Sequence, residues 1–423
     1  PRQASASVPL CGSSSTYDFV THTLTCVQDQ SAGITAYVPN LIVKDLTKNI
    51  TPTSGTVGIF VNTGDVATLN STFGAHSITT TGNYAHGISV EATNGVTIVH
   101  SGDITTSGNT ADGINTYAYY GIANVTSTGE IATSGASSHG IEARSAYGGV
   151  IVTSTGNFLV QGDGSAGIRA IGHNGSYGSG EAVTVNSAGS IKALGDGGRG
   201  IDARNFEGAT SVTSVGEIAV GNYGAGILAQ GNYGQVSVNS TGDITGGASS
   251  SGIVATGGFF GKGGPLLRPL SNGGISVTSV GDITLTGDNN FRGGPLGLSA
   301  AGILAFGAGD ITIDSTGDIS VSGDNRSGII AASYGGYCCR PVKSVPFSGV
   351  SIVSVGDITT TGNSSFGIAG VSLYSDGVTI SSVGDIETSG TYSAGIIGGS
   401  RYGNIAITSK GDITTTFGGG SSQ

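Results

Sequence analysis

The sequence contains no methionine and no tryptophan, and of its 423 residues nine are proline and four cysteine. Charged residues make up only 10%. Basic residues are scattered in a chain of formal charge −11, which argues against nucleic acid as a partner, since that needs a basic stripe. No apolar run approaches the ~20 residues of a membrane-spanning helix. The cysteines fall as Cys11 with Cys26 and as adjacent Cys338 and Cys339, neither at zinc-ligand spacing. A chain that begins at Pro1 and lacks methionine is expected to have lost a leading segment, such as a signal peptide. In an oxidising compartment Cys11 and Cys26 would close a small disulfide loop, with free thiols as the alternative. For Cys338 and Cys339 a vicinal disulfide, free thiols and pairing with another chain all stay open.

Glycine is what the chain has in excess, at 78 residues. The triplet periodicity of collagen is absent. A hydrophobic content of 37% and a mean hydropathy of +0.15 are too high for a disordered polyelectrolyte. The composition fits a fold that turns often. Gly, Asn, Asp and Ser supply the turns, and Val, Ile and Thr the short segments between them.

A repeat dominates the sequence. Segments such as VTIVHSGDI (96–104), VSVNSTGDI (236–244) and ITIDSTGDI (311–319) recur, with a Gly-Ile step between them, as at Gly113-Ile114, Gly140-Ile141 and Gly328-Ile329. The usual spacing is 26–28 residues. Each unit reads as three strands: I-T-T-T, then G-I-x-A, then V-T-V-x-S. Alternation places Ile141 with Ala143, and Ile201 with Ala203, on one inward face. A single unit cannot bury that face, whereas stacked units can. The expected fold is therefore all-β, a right-handed parallel β-helix of roughly twelve coils, about 60 Å long at ~4.8 Å per coil.

Two polar columns accompany the core. Serine closes the third strand at Ser127, Ser154, Ser187, Ser240, Ser315 and Ser382, with inward parity. It reads as a hydroxyl stack bonded to backbone or to the next hydroxyl. Acids recur at Asp103, Glu130, Asp243, Asp318, Asp357, Asp385 and Asp412. They read as solvated turn residues bonding their own backbone. A calcium ladder, for example at Asp357, Asp385 and Asp412, is the less favoured alternative, since the calcium-binding β-roll repeat is missing. No other cofactor is expected.

Residues 1–60 fit the repeat poorly and read as an N-terminal cap with degenerate first coils; 61–256 are regular coils. Residues 257–350 are coils bearing three large insertions (257–274, 288–300 and 333–349), and 351–423 are C-terminal coils with an uncapped end. The second-strand column expected to face outward is polar early, at Glu142, Arg169 and Asp202, and apolar later, at Leu228, Leu304 and Ile330. An exposed apolar stripe marks a contact surface. It would be covered by the insertions, or would serve self-association through Leu304 and Ile330.

Several motifs offer chemistry. GDGGRG (195–200) matches the Gly-x-Gly-x-x-Gly nucleotide pattern, but so much glycine makes a chance match expected, and no helix is expected to follow. Glu142 and Asp202, with Arg169 between them, lie two coils apart at ~9–10 Å, near the ~6.5–9.5 Å of an inverting glycosidase pair. They are the catalytic candidates, against a plain surface charge ladder. His86 and His139, with Asp112 between them, could in principle hold a metal. Aromatics recur after the second strand at Tyr120, Tyr147, Phe206, Tyr233, Tyr334, Tyr374 and Tyr402, where they could stack sugars, grip a partner or seal a turn.

The units G-D-I-T-T-T-G-N (356–363) and S-F-G-I-A-G (365–370) resemble the passenger regions of bacterial type V autotransporters, over about residues 75–416. The resemblance implies a right-handed β-helix carried across the outer membrane by a C-terminal β-barrel, with few, closely spaced cysteines. The expected function is a non-enzymatic, secreted or cell-surface scaffold, adhesin-like or self-associating. Its partners would be a host or neighbouring cell surface, a glycan or another copy. The alternatives are a polysaccharide-binding or polysaccharide-cleaving enzyme, and a filament, coat or phage-fibre subunit.

Overall fold

The computed structural model describes residues 16–25, 32–44, 49–172, 180–258, 273–288, 300–334, 349–373 and 377–417. Cys11, Cys26, Cys338, Cys339 and Tyr374 lie outside the described residues, as do most of the three large insertions. The chain divides into two compact units, Pro1–Ala203 and Arg204–Gln423. Each is a right-handed parallel β-helix, and the described residues contain strands and turns but no helix.

In the first unit the second strands are Ile34–Ala36, Ile59–Thr63, Ile88–Ala92, Ile114–Ala118, Ile141–Ser145 and Ala166–Gly172. In the second they are Ala225–Gly231, Ser251–Gly257, Ala300–Gly307, Arg326–Ser333, Phe366–Ser372 and Ala394–Ser400. Like residues stack in register. Ile114 pairs with Ile141 and Ile141 with Ile168 in the first unit, Ile303 with Ile329 and Ile329 with Ile368 in the second. The third strands stack Val125 on Val152 and Val185, and Val277 on Ile313 and Ile352. All of these side chains are fully buried. Each contributes roughly 1.5–3 kcal/mol of hydrophobic stabilisation.

The first and third strands share one sheet. In Val66–Thr81 and Gly95–Ser107 they run on as single strands, so the division into three is softer there than the repeat implies. Glycine marks the corner because successive backbones touch. A Cβ on Gly317, at φ +122°, would lie 2.4 Å from the Gly281 carbonyl oxygen. At the Gly-Ile step, a Cβ on Gly113 would lie 2.4 Å from Ile131 Cγ2. At the N-terminus, Thr16–Asp18 pairs antiparallel with Thr23–Thr25, which pairs in parallel with Asn40–Lys44.

Three columns depart from expectation. The serine hydroxyls of Ser127, Ser187, Ser240, Ser315 and Ser382 are buried without a hydrogen-bond partner. Successive hydroxyls at ~4.8 Å cannot reach each other, and the neighbouring backbone groups are committed to the sheet. Small size, rather than hydrogen bonding, fits serine to this corner. The acids bond the next coil rather than their own turn. Asp282 Oδ1 accepts from Asp318 N–H at 2.9 Å, Asp318 from Asp357 at 2.9 Å, Asp357 from Asp385 at 2.8 Å and Asp385 from Asp412 at 2.8 Å. Finally, the second-strand column expected to be open is buried or half-buried: Glu142 is 6% exposed, Asp202 0% and Ile330 5%, while Arg169, Leu228 and Leu304 are half-buried. Neighbours one coil away lie across each of these side chains.

Candidate functional site

The densest group of ionisable side chains lies in the first unit, where consecutive coils place residues in register around the Gly-Ile step. In three successive coils the residue preceding that step accepts a backbone N–H from the next coil. His86 Nδ1 accepts from Asp112 at 3.0 Å, Asp112 Oδ1 from His139 at 2.7 Å, and His139 Nδ1 from Ala166 at 2.9 Å. Three residues on, the outward column carries Asn115, Glu142, Arg169 and Asp202, so that both columns meet.

Glu142 is the hub. Its Oε1 accepts from Arg144 Nη2 in a short contact and from Arg169 Nη1 at 3.0 Å, and its Oε2 accepts from Asn115 Nδ2 at 3.2 Å. Asn115 also donates to Asp112 Oδ2 at 2.9 Å. Asp202 accepts from Arg199 Nη1 at 3.0 Å, and Arg169 Nε lies 4.0 Å away. Burial lowers the pKa of His139 more than Asp112 and Glu142 raise it, so the ring is neutral. Burial pushes the Asp112 carboxyl up, but hydrogen bonding with His86 and with the His139 backbone N–H works against it, and the pKa lies below the ordinary aspartate value.

Asp112, His139 and Glu142 have ligand atoms within 4.8 Å of one another, a spacing that a divalent metal could use. The protons do not fit. His139 Nδ1 accepts an N–H, so its neutral ring carries the proton on Nε2, the nitrogen that would have to ligate. The Arg169 guanidinium also occupies the space, 3.2 Å from that nitrogen. The same arginine answers the glycosidase geometry. It lies between Glu142 and Asp202, where an inverting mechanism requires a sugar and a water.

A second acid–base arrangement escaped the sequence. Ser71 Oγ lies 2.9 Å from His100 Nδ1, and His100 Nε2 bonds the Gly102 carbonyl at 3.1 Å. It resembles a nucleophile–base pair, but both residues are fully buried, and the third partner is a carbonyl rather than a carboxylate. Burial pulls the His100 pKa down to about 4. The visible signal was His100 standing in the serine column.

The aromatic candidates separate into groups. Tyr147 stacks on Tyr120 with centroids 5.4 Å apart, and Tyr119 packs edge-on against both. A hydrogen bond with Tyr147 raises the Tyr119 pKa. In the second unit Phe206 meets Tyr233 edge-on at 5.7 Å, and the Arg401 guanidinium lies 5.2 Å from the ring centre of exposed Tyr402. Tyr334 instead turns inward against Phe306 and bonds the carbonyls of Gly257 and Gly258; burial pushes its pKa up to about 12. Leu304 and Ile330 join Ala301, Phe366, Ala369 and Ile397 in one apolar cluster. Comparison with protein-family models, curated proteins and solved structures returns no match to this chain.

Proposed function

We propose that this protein is a non-enzymatic β-helical scaffold displayed outside the cell, adhesin-like in the manner of an autotransporter passenger. The observation that carries the reading is the state of its buried acid–base groups. Glu142, Asp202 and Asp112 are tied to arginine, asparagine and histidine in a closed network, while aromatic rings remain open on the turns. The passenger-like setting rests on the style of the repeat, and the secreted or surface location follows from it. A partner would be a host or neighbouring cell surface, a glycan or a second copy.

The test uses the immobilised chain against bacterial and host cells, in parallel with an assay for sugar release from a polysaccharide panel. Cell capture without sugar release is the expected result. Sugar release that Glu142→Gln abolishes would replace the scaffold reading with a polysaccharide-cleaving one. A second reading, self-association into a homo-oligomer or filament, draws on Leu304 and Ile397, which stay partly buried beside the covered Ile330. Sedimentation decides it: a mass that falls from oligomer to monomer in Leu304→Lys supports it, and a wild-type monomer at every concentration removes it.

A further inference from the structure

The turn after the second strand carries Tyr119 and Tyr120 in one coil and Tyr147 in the next. Tyr120 and Tyr147 are inclined by only 27°, and Tyr119 stands at 89° and 64° to them. Packed together, the three rings remain 40–56% exposed. Rings that merely sealed a turn would be drawn inward, as Tyr334 is. Open aromatic surface of this kind is a contact surface.

Beside the rings, Tyr117 sits in strand register between Glu91 and Arg144. Glu91 is fixed by Asn62 Nδ2 at 3.0 Å, and Arg144 by its bond to Glu142. Two planar polar groups held by hydrogen bonds thus flank Tyr117, two residues before Tyr119. A pyranose ring has matching chemistry: an apolar face of C–H bonds and a rim of hydroxyls that both donate and accept.

We propose that Tyr119, Tyr120 and Tyr147 form a stacking platform for a neutral glycan, whose hydroxyls are met by Glu91 and Arg144. The inference rests on the binding-scaffold reading and gives it a ligand class. Neutrality follows from the charges: Arg144 and Arg169 share Glu142, Arg199 is paired with Asp202, and the whole chain is at −11. No guanidinium at this face lacks a carboxylate, so an acidic sugar would gain little and meet repulsion.

The experiment titrates the full chain with soluble glucose and mannose hexamers and with a galacturonate hexamer, followed by calorimetry and tyrosine fluorescence. With no tryptophan in the chain, emission comes from its 15 tyrosines, and the part of the signal change lost in the platform variant below is the platform's own. A neutral hexamer should bind saturably, and the double variant Tyr120→Ala/Tyr147→Ala should lose about tenfold or more in affinity. Tyr120→Phe keeps the ring and should stay within about twofold, which separates stacking from a folding defect. The proposal is overturned if neither neutral hexamer binds, if the uronate binds more tightly, or if the double alanine variant binds as wild type does. Cell capture that survives the double variant would reject the glycan platform and leave the scaffold reading standing. No capture by the wild type would reject the scaffold reading itself.

Discussion

The outward column of the second strand runs Ser89, Asn115, Glu142, Arg169, Asp202 in residues 1–203 and Leu228, Val254, Leu304, Ile330, Ala369, Ile397 in residues 204–423. The inward partners hardly change: Ile141 with Ala143 in one unit, Ile329 with Ala331 in the other. One parity of the strand is therefore fixed by the core, and the other can be rewritten. Both versions are buried or half-buried, by different means: charge pairing in the first unit and apolar packing in the second. The contrast extends to arginine. Arg169 in the first unit is balanced by Glu142. Arg326 in the second is fully buried and held by carbonyl oxygens, at 3.0 Å from Thr286, 2.6 Å from Gly287 and 2.6 Å from Ser250. Burial pulls its pKa down to about 10, partly offset by Asp288, so it stays charged at neutral pH.

The comparison is most easily broken at Glu142. Glu142→Ala leaves two guanidiniums over a buried gap and should cost about 3–5 kcal/mol. Leu304→Ala, which trims one partly buried apolar side chain, should cost about 1–2 kcal/mol. Urea midpoints followed by hydrogen exchange in each unit measure both. Similar losses would mean that the charged network is solvated and the contrast between the units is false.

Acid should then distinguish the units. All six histidines lie in residues 1–203. His100 has a folded-state pKa of about 4 against an ordinary 6.5. Between these values the unfolded chain takes up a proton that the folded chain refuses, so stability falls as pH drops through the window and levels off below it. The full shift corresponds to about 3 kcal/mol, and His139 acts in the same direction. Hydrogen exchange at pH 7 and pH 4.5 should show protection lost in the first unit and retained in the second. Equal loss in both would remove histidine as the cause.

The smallest effect concerns the turn before the second strand, where a non-glycine residue adopts positive φ. Thr110 does so at 55° and Asn325 at 56°. Thr110→Gly relieves a β-branched residue and should stabilise by a few tenths to about 1 kcal/mol. Asn tolerates this conformation, so Asn325→Gly should change the melting temperature very little. A loss of stability in Thr110→Gly would mean that the threonine side chain contributes contacts outweighing the strain.

Parity within a strand was legible in the sequence, because Ile141, Ala143 and their equivalents alternate at a period that cannot serve both faces. The glycine corners were legible for the same reason. What a side chain meets in the next coil was not. The turn acids and the serines differ in whether a backbone N–H one coil away points at them, and that depends on register along the axis rather than on local pattern. Burial of Asp202 was equally hidden, since Arg199 and Arg169 reach it from three residues away and from the neighbouring coil. The aromatic cluster was half legible. Tyr120 and Tyr147 follow the repeat, but Tyr119 joins them only through the shape of the turn.

The acid ladder has a consequence for how such a chain can change length. Each carboxylate meets the same donor in the same place, so one coil's acceptor serves any other coil's backbone. Asp357 and Asp385 stand 28 residues apart. Excising residues 358–385 would join Asp357 to Ile386 and bring the Asp412 N–H to the oxygen that Asp385 had used. Removing half that length would set turn against strand and strand against turn. Recombination within the gene could therefore shorten or lengthen the protein in whole coils while each survivor finds a familiar neighbour, whereas indels of other sizes would be confined to the turns.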